Sequence, residues 1–228
     1  MAGIPRNMYE HIDKKFLKRP SNPNIAEHGF TLPFRMLICA ASGSGKTSLV
    51  VDLLLRFCKG AGTFQKIQYI CRDKSEPLLQ WLESKTDQIQ VTEGMSTLPT
   101  LDERNFPADT SSLIILDDMC LAKDQSAIES YYIRCRKRGV SIIYISQSFY
   151  KVSKLIRSNC NYMILLKLSG NRDVKLILSE FGLGVSKEEL MRIYEYATSI
   201  KMCPLVVHLD EPDKNKKFRR GFLECIPV

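Results

Sequence analysis

The chain has 228 residues, 44% of them hydrophobic and 25% charged. These are globular proportions; they exclude a disordered chain or a fibre, and a chain this long buries about 70% of its unfolded surface, enough for a core of its own. Lys and Arg number 33 against 25 Asp and Glu, a net charge of +8 that suits a polyanionic partner without demanding one.

No apolar run reaches the roughly 18 residues of a membrane span. The first residues carry charge (Arg6, Lys14, Lys15) with no apolar stretch behind it, so no secretory signal is expected. The eight cysteines include no C-x-x-C pair, and His11, His28 and His208 lie far apart, which points to reduced, mostly structural thiols.

In chain order, residues 1–30 read as an irregular N-terminal basic extension, with Pro5, Pro20, Pro23 and the run Lys14-Lys15-Phe16-Leu17-Lys18-Arg19. From there strand-like and helix-like segments alternate. Strands are predicted at 34–40, 66–71, 88–91, 113–116, 140–145, 162–168 and 205–207. Helices are predicted at 47–57, 75–85, 125–138, 172–181 and 186–198, with a loop at 99–109. Strands that are near-continuous apolar runs and that alternate with helices predict an α/β fold, a mostly parallel central sheet covered by helices on both faces. Residues 31–210 form the expected domain. Residues 211–228 read as a basic C-terminal tail, with Lys214, Lys216, Lys217, Arg219 and Arg220.

Directly after the first buried strand stands Ala40-Ala41-Ser42-Gly43-Ser44-Gly45-Lys46-Thr47, followed by an apolar helix. This is the phosphate-loop pattern with Ala in place of its first Gly, a position that needs a small residue more than a flexible one. Gly43 and Gly45 let the backbone curl so that successive N–H groups face phosphate oxygens, and the helix N-terminus favours an anion. The expected nucleotide-binding residues are therefore Ala41, Ser42, Gly43, Ser44, Gly45, Lys46, Thr47 and Ser48. Lys46 would reach the β- and γ-phosphates of ATP, and the Thr47 hydroxyl would bind Mg²⁺.

Ser112-Leu113-Ile114-Ile115-Leu116-Asp117-Asp118 is an apolar strand ending in two carboxylates. Asp117 would hold the Mg²⁺ shell and Asp118 would act as general base on the attacking water. Ser141-Ile142-Ile143-Tyr144-Ile145-Ser146-Gln147 ends a further apolar strand in an amide. There Gln147 would bond the γ-phosphate and the water and so sense which nucleotide is bound.

Between these strands lies Arg136-Lys137-Arg138-Gly139-Val140, which resembles the Gly-Arg-Lys-x-Gly-Val run of the FtsK/HerA-like motor ATPases, with Cys135 in place of the Gly. Lys154-Leu155-Ile156-Arg157-Ser158-Asn159-Cys160-Asn161 follows. Taken in order, these motifs resemble those of the poxvirus-type virion DNA-packaging ATPases of large DNA viruses and virophages, over roughly residues 32–210. The resemblance implies a RecA-like P-loop core in a homo-oligomeric ring that drives double-stranded DNA into a capsid, with capsid or portal-vertex proteins as partners. It places the protein at the viral assembly site in the host cytoplasm, or in the virion. It also implies an arginine that completes the neighbouring subunit's site, for which Arg136 and Arg157 are the candidates. The basic stretch at 14–19 and the Lys214 to Arg220 region are candidates for gripping DNA phosphates. The competing expectations are a related pump or helicase of the same superfamily, a small-molecule phosphotransferase, and a scaffold that uses ATP only as a switch.

Overall fold

Successive side chains of a strand point to opposite faces of its sheet, so a strand that is apolar throughout needs cover on both sides. That demand shapes this fold. The computed structural model describes residues 6–13, 21–107, 110–119, 125–181 and 183–228, with the side chains of 171–173 left aside. Six strands run parallel: β1 (Arg35–Cys39), β2 (Lys66–Cys71), β3 (Ile89–Glu93), β4 (Ser112–Asp117), β5 (Val140–Ser146) and β6 (Tyr162–Leu165). Antiparallel β7 (Leu205–His208), β8 (Phe218–Arg220) and β9 (Glu224–Cys225) complete a sheet of order β3-β2-β4-β5-β1-β6-β7-β8-β9.

The two faces form two apolar clusters. Helices α1 (Ile25–His28), α2 (Lys46–Phe57) and α3 (Pro77–Glu83) lie on the face that includes Met36, Ile38, Tyr69, Ile115 and Ile143. Helices α4 (Ser126–Arg134), α5 (Lys154–Ser158), α6 (Asn171–Glu180) and α7 (Lys187–Ala197) pack on the other, against Leu37, Ile70, Leu116 and Tyr144. The result is the expected three-layer α/β arrangement.

Three expectations change at element ends. The helix foreseen over 125–138 stops at Arg134, and Cys135–Arg138 tightens into a 3₁₀ turn closed by Gly139 at φ 67. The strand foreseen to residue 168 ends at Leu165, and the Leu168 N–H is bonded by the Tyr194 hydroxyl at 2.7 Å. The basic segment 211–228 is more than a tail. It carries α8 (Lys214–Lys217), β8 and β9, and Phe218 is buried in the core.

The segment before β1 is also built into the core. His28 and Phe30 have no exposed surface, and Phe30 packs edge-on against Tyr162 at 5.0 Å. The Phe30 N–H donates to His28 Nδ1 at 3.0 Å, so the ring proton sits on Nε2, which faces Asn22 Oδ1 at 3.1 Å. Burial, and then the nearby Arg219 guanidinium, push the His28 pKa down to about 4, with Glu27 opposing weakly. An unfolded histidine titrates near 6.5. The unfolded chain therefore binds the proton first, and the stability that neutral His28 confers is full above about pH 6.5 and lost as pH falls toward 4. Urea unfolding should show a loss of roughly 2 kcal/mol from this group between pH 7 and pH 5. The His28→Gln variant should flatten that part of the slope. An unchanged slope would show that His28 does not carry it.

Candidate nucleotide-binding and hydrolysis site

Parallel strands present their C-terminal ends along one edge of the sheet, and ligands of open α/β sheets bind there. The loop after β1 and the ends of β4 and β5 meet at this edge. Gly45 caps α2 at φ 91, a left-handed value that favours glycine, and its carbonyl accepts the first helical bond from the Leu49 N–H at 3.0 Å. A Cβ added there would lie 2.5 Å from Met202 Cγ, so close packing as well as conformation calls for glycine. The first-turn N–H groups of α2 have no acceptor within the helix. They are the groups a helix N-terminus presents to a phosphate; within the loop, the Ser44 N–H donates to the Ala41 carbonyl at 3.2 Å.

Lys46 and Thr47 line a cleft of ≈ 520 Å³ together with Asp117 and Asp118. Its other wall is the connection from β2 to α3, with Cys71, Arg72, Asp73, Ser75 and Glu76. Nothing in the sequence marks this wall, because a loop of mixed charge carries no motif. Only the parallel pairing of β2 with β4 brings it beside the two aspartates.

Strand β5 lies between β1 and β4, so the polar end of β5 sits between the phosphate loop and the carboxylate pair. The Asp118 N–H donates to the Ile145 carbonyl at 3.0 Å, and Gln147 Nε2 donates to Asp118 Oδ2 at 3.1 Å. Asp118 stands at φ 56, in the left-handed region that Asp tolerates better than most residues. This turn carries its carboxylate off the strand direction. A non-glycine residue so placed costs of order 1 kcal/mol or more, and such strain concentrates at functional sites.

Asp117 is held differently. The Tyr69 hydroxyl donates to its Oδ2 at 2.7 Å, while Oδ1 is buried and has no hydrogen-bond partner among the described residues. Burial pushes the Asp117 carboxyl above the ordinary carboxylate range; Tyr69 and the Lys46 charge pull it back. An orphaned carboxylate oxygen beside Thr47 and Lys46 is the donor a hard divalent cation takes, so the residues fit Mg²⁺.

The two arginine candidates fall elsewhere. Arg157 is enclosed in its own chain, with Nη1 3.0 Å from Glu180 Oε2 and its guanidinium 4.6 Å from the Phe149 ring centroid. Arg136 is exposed and lies just before β5, at the sheet edge opposite the phosphate loop. The motif around Arg157 also serves the fold. The Asn161 side chain accepts from the Arg35 N–H at 2.7 Å, and Asn159 Oδ1 accepts from the Arg35 guanidinium at 3.3 Å, which anchors the start of β1.

Of the basic groups foreseen as DNA contacts, residues 14–19 lie outside the described residues. Arg219 is a correction: it is buried, donates to the Gly29 carbonyl at 2.7 Å and stacks on Phe30, so it faces the core and not a ligand. Arg220 packs over the Tyr196 ring at 4.8 Å. Lys214 and Lys216 remain exposed.

The fold has relatives of known structure. B204, the genome packaging NTPase of Sulfolobus turreted icosahedral virus 2, solved with sulfate, is 12% identical over 86% of this chain and 100% of that one, with a TM-score of 0.60. The same protein in complex with ATP-γS is 13% identical over 84% and 99%, at 0.56. EssC (ATPases 2 and 3) of Geobacillus thermodenitrificans is 13% identical over 79% of this chain and 41% of that one, at 0.55. At such identities the likeness is one of fold. No curated protein matches the chain by sequence. The sequence profile described as Poxvirus A32 protein matches residues 90–205, just over half the chain. That span holds Asp117, Asp118, Arg136, Gln147 and Arg157, while the phosphate loop lies before it. The carboxylate pair, the strand that ends in Gln147 and the arginine runs thus lie within the matched span, and the chain belongs to the Poxvirus A32 protein family.

Proposed function

We propose that this chain is a genome-packaging ATPase that couples ATP hydrolysis to movement of double-stranded DNA into a viral capsid. The observation that carries this is the Asp118–Gln147 contact at 3.1 Å, set across the cleft from Lys46 and Thr47. A carboxylate that faces the phosphate loop and is held by an amide from the intervening strand is the equipment for activating water and sensing a γ-phosphate.

Residues 41–48 bind the triphosphate through the loop amides, and Lys46 neutralises charge on the β- and γ-phosphates. Thr47 and Asp117 would hold Mg²⁺, which when bound would supply charge stabilisation on the phosphates. Asp118 takes the proton of the attacking water. Gln147 bonds that water or the γ-phosphate, and its tie to Asp118 shifts with nucleotide state.

Arg136 serves the neighbouring subunit. The seven residues of β5 put roughly 20 Å between it and its own phosphate loop, too far for contact within one chain. Arg157 is already paired with Glu180. The reading therefore calls for a homo-oligomeric ring, with capsid or portal-vertex proteins as partners, at the viral assembly site in the host cytoplasm. Exposed Lys214 and Lys216 offer phosphate contacts that read no sequence.

The test is steady-state ATP hydrolysis with and without double-stranded DNA of mixed sequence. Hydrolysis should rise several-fold with DNA, and the rise should shrink with added salt. Stimulation by a small phosphate acceptor and none by DNA would replace this reading with a phosphotransferase.

A further inference from the structure

In the parallel register of β2 and β4, Tyr69 lies opposite Ile115, and Asp117 stands two residues further along the same face. Diagonal neighbours of this kind are within reach of a long aromatic side chain. The Tyr69 phenol spans the gap and donates to Asp117 Oδ2 at 2.7 Å. Its ring has no exposed surface and is held in the cluster beneath α2 and α3, so the hydroxyl has a fixed direction. The other carboxylate oxygen, Oδ1, is buried and has no hydrogen-bond partner among the described residues.

We propose that Tyr69 is a positioning residue of the divalent-cation site: its hydroxyl occupies one oxygen of Asp117 and so aims the other at the metal. This rests on the reading of Asp117 as the metal-binding carboxylate.

The residue type matters. A lysine or arginine in this place would satisfy Asp117 equally well but would cancel its charge and repel the incoming cation. A phenol satisfies one oxygen and leaves the negative charge in place. The carboxylate would thereby be held in one orientation with one oxygen left for a cation, as outer-shell partners hold metal ligands generally.

Tyr69→Phe keeps the ring and its packing and removes only the donor. The experiment is a titration with Mn²⁺, followed by electron paramagnetic resonance, of the full-length protein carrying a non-hydrolysable ATP analogue. Tyr69→Phe should bind Mn²⁺ about 10-fold or more weakly than the wild type. Affinity for the analogue measured in EDTA should be unchanged, and thermal melting should confirm a folded protein. In hydrolysis assays the half-saturating Mg²⁺ concentration should rise by a similar factor, with kcat at saturating Mg²⁺ restored to within about 2- to 3-fold. Asp117→Ala, by contrast, should lose Mn²⁺ binding that added metal does not restore. Equal Mn²⁺ affinity in wild type and Tyr69→Phe overturns the role of Tyr69. Wild-type protein that binds the analogue but no Mn²⁺ overturns the underlying reading of Asp117, and the two failures are distinguishable.

Discussion

Asp118→Asn is expected to lower turnover by about 10²- to 10⁴-fold while ATP binding is retained. The substitution isolates chemistry from structure. Asparagine tolerates the left-handed conformation at φ 56 as aspartate does, and its side-chain oxygen can still accept from Gln147 Nε2, which lies 3.1 Å from Oδ2. What disappears is the negative charge and the capacity to take a proton. Lys46→Ala removes the charge that the phosphate loop sets against the β- and γ-phosphates and should abolish both hydrolysis and tight nucleotide binding. Phosphate release and the binding of a fluorescent ATP analogue, measured on both variants, check the pair of results. Wild-type turnover in Asp118→Asn would move the base elsewhere. Glu76, on the facing wall of the cleft, would be the first carboxylate to test.

Phe30→Ala is expected to destabilise the protein by about 3–5 kcal/mol, the range for emptying a buried aromatic site. Phe30 is fully buried. Its ring meets His28, Phe34, Tyr162 and Phe222, and the Arg219 guanidinium lies 5.0 Å from its centroid. These partners come from the segment before β1, from β6 and from the C-terminal hairpin, so the loss loosens three parts of the chain together. It also removes the nearer of the two rings under the buried Arg219 guanidinium, leaving Tyr162 at 5.8 Å, which adds to the cavity term. Equilibrium urea unfolding of the folded variant measures the difference. A loss below about 1 kcal/mol would mean that the segment before β1 is an appendage and not part of the core.

That segment marks a limit of the sequence reading. Residues 21–30 hold Pro23, Gly29 and two asparagines and no periodic apolar stripe, so by pattern alone they read as an extension. Phe30 enters the core through contacts with residues more than a hundred positions away, such as Tyr162. Strands β8 and β9 are illegible in the sequence for a related reason. Three residues of β8, two of them arginines, cannot display a period, and Arg219 reads as surface charge until Gly29 and Phe30 are seen to enclose it. The parallel strands and the longer helices were legible because each is an apolar run or stripe whose burial does not depend on the neighbour it finds.

At the site the division is similar. The phosphate loop, the carboxylate pair and the strand-terminal glutamine could be read directly, since each is a local string whose chemistry follows from residue type and from the end of the strand that carries it. Sequence by itself therefore determined the fold class and named the residues expected to carry the nucleotide chemistry. Tertiary structure alone decided their relations. The order β4-β5-β1 puts Gln147 within bonding distance of Asp118, the β2–β4 register puts Tyr69 on Asp117, and the Glu180 ion pair occupies Arg157 while Arg136 is left at the opposite edge. The physical reason is that local propensity and hydrophobic period act over a few residues, whereas strand order and register are settled by burying all the apolar faces at once.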